Sequence, residues 1–309
     1  MKTTIMSRRL SDYLAMRRAL GFKLDRSGAL MAEFVAFADR AGATTITTRL
    51  AVQWATQPSQ AAPSWWAVRL SAVRVFARHL ACIDPDTEVP SAGLIPARPV
   101  RATPFVYSAG DVAALMTAAD RIRTPLVAAT YHTLVGLLAV TGMRVGEVIN
   151  LDRDDLDHGE GVLVVRQAKF GKSREIALHP STLAALEGYA AVRERYCPRP
   201  RTPALLVSNA GTRLHYKNVH ERFHRLTQAV GLQPRSATCR PRPHDLRHTF
   251  AVNTLLAWYR AGADVQARLP LLSTYLGHVD PGCTYWYLSA TPELMSMVAD
   301  RLAPVGPPR

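Results

Sequence analysis

The sequence predicts a two-domain protein: an all-helical N-terminal domain, then a longer, mainly helical C-terminal domain with a small antiparallel β-sheet. Three observations lead to this fold class. The chain has 309 residues, 48% of them hydrophobic, which is enough for two packed cores. Prolines cluster in one early segment, and β-rich runs occur after it.

The proline-rich segment is the predicted boundary between the domains. Residues 83–105 contain five prolines and show little apolar periodicity. Proline removes a backbone donor and biases its neighbour toward extended conformations, so this composition is typical of a linker. We therefore expect an N-terminal domain over 1–87, a linker over 88–105 and a C-terminal domain over 106–309.

Two apolar stripes at helical spacing predict helices in the N-terminal domain. Ser27 is expected to cap the first helix, which ends near Gly42. The second helix is predicted over 65–80, with Leu70 and Phe76 on its apolar face. Three arginines lie off this face, where they either hold phosphates or form an ordinary solvated surface: Arg69, Arg74 and Arg78.

A β-hairpin is predicted in the C-terminal domain. Its two β-rich runs cover 161–168 and 173–178, and the tight turn between them contains Lys169 and Lys172. The run at 205–208 is expected to add a third strand. Together these runs predict a small antiparallel sheet with a basic turn.

Helices are expected to account for most of the remaining C-terminal domain. They are predicted over 125–140, 180–196, 217–230 and 245–261. Thr291 followed by Pro292 has the pattern of a helix start, with threonine as the cap and proline at the first position. This last helix is expected over about 292–303, and because it follows every other element it could dock on a neighbouring subunit.

The charge of the chain favours a polyanionic partner. Lysine and arginine number 38 against 24 aspartate and glutamate, a formal net charge of +14. Such a surplus suits nucleic acid, because cations that neutralise phosphates release bound counterions. The alternative is a basic surface that serves solubility, since net charge speaks to partners and not to fold.

The cysteines and the N-terminus predict no metal site and no membrane association. The four cysteines are scattered without a Cys-x-x-Cys pair, which argues against a zinc site or a disulfide framework and is compatible with a reducing cytoplasm. The first 16 residues lack an apolar core, so no signal peptide is expected.

Four short motifs offer groups that could bind a phosphate. His244 and Arg247 would share a helix face at i and i+3, although the same pattern fits a helix start with surface charges. Arg144 projects from a glycine turn and suits bidentate phosphate binding, or else it bonds the last carbonyls of a helix. Glu147, three residues later, could hold its guanidinium.

The other two motifs are a turn lysine and a histidine followed by tyrosines. Lys169 could reach a DNA groove and donate a proton, or it could be a solubilising turn residue. His278 comes directly after Gly277, which is expected to end a helix, and Tyr285 and Tyr287 follow. Single histidines and tyrosines are often structural, so their order along the chain matters more than any one of them.

In that order, these motifs resemble the tyrosine recombinase (phage integrase) family over about 106–302. Thr-Gly-Met-Arg-Val-Gly-Glu resembles its first arginine box, and Lys-Phe-Gly-Lys-Ser-Arg-Glu-Ile its hairpin lysine motif. His-Asp-Leu-Arg-His-Thr-Phe-Ala matches its second box nearly letter for letter, and Leu-Gly-His-Val-Asp-Pro its third. A tyrosine nine positions after His278 fits the family, which selects Tyr287 over Tyr285. Ala177 departs from the proline common at that hairpin position.

The resemblance implies a SAM-like core-binding N-terminal domain and an integrase-like α+β catalytic domain that needs no metal or cofactor. Its implied catalytic residues are Arg144, Lys169, His244, Arg247, His278 and Tyr287. Glu147 and His248 would support them. The DNA-binding candidates are Arg69, Arg74, Arg78, Lys172 and Arg174.

The mechanism implied by the resemblance is DNA cleavage through a covalent 3′-phosphotyrosyl intermediate. Tyr287 would attack the phosphorus, Lys169 would protonate the leaving 5′ oxygen, and the cations would stabilise the charge that builds up. A 5′-hydroxyl from a second duplex would then reseal the strand without ATP. The expected partners are double-stranded DNA and further copies of the chain, as a tetramer that exchanges tail helices, with a sister recombinase as another option.

Two other readings stay open at this point. A type IB topoisomerase-like enzyme would use the same chemistry on one duplex, and a non-catalytic DNA-binding factor would keep the fold without cutting. The tail Tyr-Trp-Tyr-Leu-Ser-Ala-Thr-Pro-Glu-Leu resembles recombinases of transposons and plasmids. Integration, excision, resolution and transposition are therefore all open roles, in a bacterial cytoplasm and on its nucleoid.

Overall fold

The described residues of the computed structural model are 4–97, 102–166, 173–278, 280, 282–289 and 293–296. They divide into two compact units, one within Met1–Val100 and one within Arg101–Arg309. Each unit buries its own apolar side chains. The elements are mostly helical, with one three-stranded antiparallel sheet, and this confirms the predicted secondary-structure class.

The N-terminal unit consists of helices packed around aromatic side chains. The helices are α1 (Ile5–Ala19), α2 (Asp25–Arg40), α3 (Thr48–Ala55) and α4 (Pro63–Leu80). Phe34, Trp54 and Phe76 are buried at the centre, where Phe34 meets Trp54 edge-on. The predicted cap at Ser27 is wrong: α2 begins at Asp25, because Leu24 adopts the left-handed conformation and turns the chain directly before it.

Two of the three arginine candidates for phosphate binding make contacts inside the N-terminal unit. Arg69 is 7% exposed, and its guanidinium lies 3.8 Å from the centre of the Trp54 ring and donates to the Trp54 carbonyl at 2.9 Å. Arg74 donates to the carbonyls of Pro90 and Ser91, so it holds the segment after α4. Arg78 is exposed and stays a candidate.

The C-terminal unit is built around a long apolar helix. Its helices are α5 (Ala109–Asp120), α6 (Pro125–Thr141), α7 (Val145–Asn150), α8 (Pro180–Tyr196), α9 (Tyr216–Ala229), α10 (Asp245–Arg260), α11 (Val265–Leu276) and α12 (Gly282–Tyr285). Helix α6 packs against α5, α8 and α10, which cover its apolar sides. The predicted helix at 125–140 is confirmed and extends to Thr141, where Gly142 ends it.

The predicted hairpin is confirmed as strands β2 (Val162–Val165) and β3 (Arg174–Ala177), which pair antiparallel with Leu163 opposite Ile176. The third strand is β1 (Leu156–Asp157), on the far side of β2. The strand expected at 205–208 is wrong. Leu205, Leu206 and Val207 are buried in the core without forming a strand, and Val207 makes an isolated bridge with Arg213.

Several sequence predictions fall outside the described residues. Lys169 and Lys172 do so, as does the predicted helix start at Thr291 and Pro292. Residues 293–296 are helical, and Leu294 is buried against α10 and α11 of the same chain. Within the described ranges, no helix has the length and apolarity to cross a bilayer, and no group of three or more His, Cys, Asp or Glu side chains is placed to hold a metal.

Candidate active site

Two glycine turns shape the candidate site. Gly142 ends α6 and Gly277 ends α11. Both adopt the left-handed conformation, which is unfavourable for residues other than glycine. A Cβ atom on Gly142 would lie 2.5 Å from a ring carbon of Phe250. The backbone therefore turns sharply at both glycines, and each turn offers backbone carbonyls to an arginine.

Arg247, in the first turn of α10, is a buried cation between these turns. Its Nη1 donates to the Gly142 carbonyl at 2.9 Å and its Nη2 to the Leu276 carbonyl at 2.6 Å. Burial, and then repulsion from Arg144, lowers its pKa to about 10, while a hydrogen bond with Tyr287 opposes the shift. Arg247 is therefore still protonated at neutral pH.

Arg144 lies directly before α7 and is held from two sides. Its Nη1 donates to Glu147 Oε1 at 2.7 Å, and its Nη2 donates to the Gly277 carbonyl at 3.0 Å. Its backbone N–H donates to Glu147 Oε2 at 2.9 Å. The guanidinium has a fixed position, and 26% of the side chain is exposed, so it can meet a ligand.

Arg174, a predicted DNA contact, is bound to Glu147 in the free chain. Its Nη1 and Nη2 donate to the two carboxylate oxygens at 3.1 and 2.8 Å, and its side chain is 12% exposed. Burial acts to raise the pKa of Glu147, but hydrogen bonds from Arg174 and Arg144 bring it down to about 2. The carboxylate is thus fully ionised at neutral pH.

The two histidines are close to these arginines. His244 directly precedes α10, and His278 follows Gly277. Burial, and then the charges of Arg247 and Arg144, lowers the pKa of each imidazole to about 4. Both are therefore neutral at pH 7 in the free chain. His278 Nδ1 lies 2.7 Å from Thr284 Oγ1.

Tyr287 joins the same cluster, whereas Tyr285 does not. The Tyr287 side chain is 2% exposed, hydrogen-bonds to Arg247 and stacks on His278 with ring centres 5.9 Å apart. The His248 ring lies close to two others of the cluster: its centre is 5.3 Å from that of Tyr287 and 4.9 Å from that of His244. Tyr285 is 53% exposed.

The structure thus gathers most of the predicted site residues in one place. The residues brought together are Arg144, Glu147, His244, Arg247, His248, His278 and Tyr287. Thr284, which no sequence motif singles out, is buried and contacts His278. Its position three residues before Tyr287 was the available signal, but the sequence does not show which way its side chain points.

The chemistry of this cluster suits a single anionic group. Two arginines and two imidazoles that each keep one N–H lie close together, and the phenol of Tyr287 interacts with Arg247 and stacks on His278. Within the described residues, Arg247 bonds to carbonyls and a phenol, not to a carboxylate. Because like charges in a poorly solvated place repel, an arriving phosphate would relieve an unfavourable arrangement.

Comparison with known proteins agrees with this geometry. The model of the phage integrase family matches residues 107–293. A Sinorhizobium fredii protein named as an integrase/recombinase, y4rB, is 44% identical over 299 residues, which cover 95% of each chain. The tyrosine recombinase XerC of Azotobacter vinelandii is 28% identical over 76% of this chain and 72% of its own.

A solved structure shares the fold. The Tn1549 transposon integrase in complex with transposon right-end DNA superposes with a TM-score of 0.65 at 16% identity, covering 96% of this chain and 99% of that one. The chain therefore belongs to the phage integrase family, the tyrosine-type site-specific recombinases.

Proposed function

We propose that this protein cleaves and rejoins DNA at specific sites through a 3′-phosphotyrosyl intermediate formed by Tyr287. The observation that carries the proposal is the position of Tyr287, which is stacked on His278 and interacts with Arg247, inside a cluster that also contains Arg144. A phosphate bound by these cations would have the phenol oxygen beside it. The net charge of +14 supports DNA as the partner.

In the proposed reaction the phenol oxygen of Tyr287 bonds to phosphorus, and the bond to the 5′ oxygen breaks. Lys169 is assigned as the acid that protonates the leaving oxygen. Arg144, Arg247 and the N–H groups of the two imidazoles bind the non-bridging oxygens, where preorganised donors favour the pentavalent state. The phenol proton can pass to His244, because its neutral imidazole has a second nitrogen that is an acceptor.

Rejoining reverses these steps with a 5′-hydroxyl from a second duplex. The phosphotyrosyl bond retains the energy of the original diester, so no nucleotide cofactor is required. Tyr287 is buried in the free chain. We expect its segment to open when the scissile phosphate enters.

The larger assembly is part of the same proposal. Residues 1–87 would act as a core-binding DNA-binding domain of SAM-like fold, and the linker 88–105 would let both domains grip the duplex. Four copies on two duplexes would exchange their tail helices, alone or with a sister recombinase. The enzyme would work in the cytoplasm, on bacterial DNA.

The test uses nicked suicide duplexes tiled across the DNA that flanks the gene. Wild-type protein should yield a protease-sensitive covalent adduct on one of them, and Tyr287→Phe should abolish it. The matched control is Tyr285→Phe, two residues away and exposed, which should retain the adduct. An adduct that survives Tyr287→Phe, or none on any duplex, rejects the proposal.

A second assay distinguishes recombination from topoisomerase-like relaxation of DNA. Two duplexes that both carry the cleaved site should exchange strands and yield recombinant products. Relaxation of a supercoiled plasmid without strand exchange would instead indicate a topoisomerase-like enzyme. Binding without an adduct would indicate a non-catalytic factor.

A further inference from the structure

We infer that Arg174 is a positioning residue of the active site: it locks the carboxylate of Glu147, and through that carboxylate it fixes the guanidinium of Arg144. This inference rests on the proposed function, because it concerns the rate of the cleavage step. It also replaces the DNA contact that the sequence predicts for Arg174.

The hydrogen bonds of Glu147 show how the lock works. Oε1 accepts from Nη1 of Arg144 at 2.7 Å and from Nη1 of Arg174 at 3.1 Å. Oε2 accepts from the backbone N–H of Arg144 at 2.9 Å and from Nη2 of Arg174 at 2.8 Å. The planar guanidinium of Arg174 therefore donates to both carboxylate oxygens of Glu147 at once. A lysine could not bond both oxygens in that geometry.

Burial makes the Arg174 interaction consequential. The side chains of Glu147 and Arg174 are 7% and 12% exposed. A buried carboxylate that loses one of two cationic partners keeps its charge but lacks two of its hydrogen-bond donors, which is costly. Without Arg174, Glu147 would draw more of the guanidinium of Arg144 toward itself, away from the Gly277 carbonyl and from an incoming phosphate.

Arg174 also connects three parts of the site. It is the first residue of β3, opposite Val165, and it directly follows the hairpin turn in sequence. A Cβ atom on Gly277 would lie 3.0 Å from its Nη1, so the guanidinium rests against the turn that leads into His278. One side chain thus fixes the start of β3 against α7 and against the end of α11.

The test compares Arg174→Gln and Arg174→Lys with wild type on the duplex that forms the Tyr287-dependent adduct. Two quantities are measured: the dissociation constant of the duplex and the single-turnover rate of adduct formation at saturating protein. Both variants should lose about 10- to 100-fold in rate, because a displacement on the ångström scale in an active site has effects of that size. The dissociation constant should change by less than about 3-fold, since no phosphate contact is lost.

The matched control is Arg166→Gln. Arg166 follows the neighbouring strand β2, is 62% exposed and pairs with Asp155 rather than with the cluster. It should cleave at the wild-type rate. If Arg174→Lys cleaves as fast as wild type, the planar guanidinium of Arg174 is not needed and the inference is overturned. If Arg174→Gln binds DNA more weakly with a shallower salt dependence, Arg174 is a DNA contact and the inference is overturned as well.

A double-mutant cycle with Glu147→Gln tests whether Arg174 acts through that carboxylate. Side chains that act through one contact are not additive, so the double variant should cleave no more slowly than the slower single variant. Rate losses that multiply would overturn the inference. Circular dichroism melting of each variant checks that it is folded at the assay temperature.

A readout without DNA keeps this inference separate from the proposed function. In a carbon-13 NMR titration, the pKa of Glu147 should rise in Arg174→Gln and Arg174→Lys but not in Arg166→Gln. If wild type forms no adduct but this rise is seen, the proposed function fails while the Arg174–Glu147 lock stands. If wild type forms the adduct and both Arg174 variants cleave at its rate, the inference alone fails.

Discussion

Two buried arginines, one in each unit, are held in different ways. Arg69 stacks on Trp54, donates to its carbonyl and lies 3.5 Å from the carboxylate of Glu33. Arg247 donates to two carbonyls, and its pKa is lowered first by burial and then by the second cation beside it, Arg144. The first arginine is neutralised by its surroundings, whereas the second is crowded by charge of its own sign.

This difference distinguishes an arginine that stabilises the fold, Arg69, from one that is available to bind an anion, Arg247. Burying a charge is costly unless a partner compensates it. Glu33 and the ring of Trp54 do this for Arg69. Around Arg247 the compensation is incomplete until an anion arrives. Such unfavourable electrostatics are typical of functional sites.

The largest expected effect is on catalysis. Arg247→Gln should reduce the rate of adduct formation by about 10²–10³-fold, the usual loss when one preorganised donor to the transition state is removed. The rate is measured in a single turnover at saturating protein. Arg195→Gln, an exposed arginine near the end of α8, is the control and should cleave normally. An Arg247→Gln rate within a few-fold of wild type would break the comparison.

The next largest effect concerns Glu147, whose carboxylate neutralises part of the positive charge of the cluster. Because the pKa of Glu147 falls from about 4.5 to about 2 on folding, its charge stabilises the fold above pH 4.5, and this contribution disappears as the pH falls toward 2. Glu147→Gln should lower the free energy of unfolding at pH 7 by up to about 3 kcal/mol. Urea unfolding between pH 7 and 2.5 measures it. A difference from wild type that does not shrink toward pH 2.5 would contradict the ion-pair argument.

A moderate effect is expected in the N-terminal unit. Arg69→Gln loses the hydrogen bond to Trp54 and the contact with its ring, so it should lower the free energy of unfolding by about 1–3 kcal/mol. The single-turnover rate at saturating protein should match wild type. The exposed Arg78→Gln, on the same helix, should change stability little. If Arg69→Gln instead slowed cleavage without loss of stability, the two arginines would not differ as argued.

The smallest effect concerns which nitrogen of the His278 imidazole carries the proton. The Thr284 hydroxyl is expected to donate to His278 Nδ1, which leaves the proton on Nε2 to face a phosphate. Thr284→Val should slow cleavage by about 10-fold, and Thr284→Ser should restore it. Nitrogen-15 NMR of His278 reports which nitrogen carries the proton. A proton on Nδ1 in wild type would refute this assignment.

Local patterns predicted much of the fold. The bounds of α8 match the prediction residue for residue, because His179 and Pro180 mark its start in the sequence. The hairpin was predicted from two β-rich runs and a basic turn. Helix α5 was missed although Ser108 and Asp111 form a capping box, a signal that the sequence does contain. Strand β1 has two residues, too few to carry a pattern.

The sequence by itself determined which groups are available and in what order, because motif spacing and helix periodicity are local properties. The tertiary structure decided their roles. Arg144 and the carbonyl of Gly277 are 133 residues apart, yet they meet at 3.0 Å. Arg69 and Arg174 look like phosphate contacts in sequence, and burial turns both toward the protein. The reason is physical: the charge and the solvation of a side chain depend on neighbours that folding brings from distant parts of the chain.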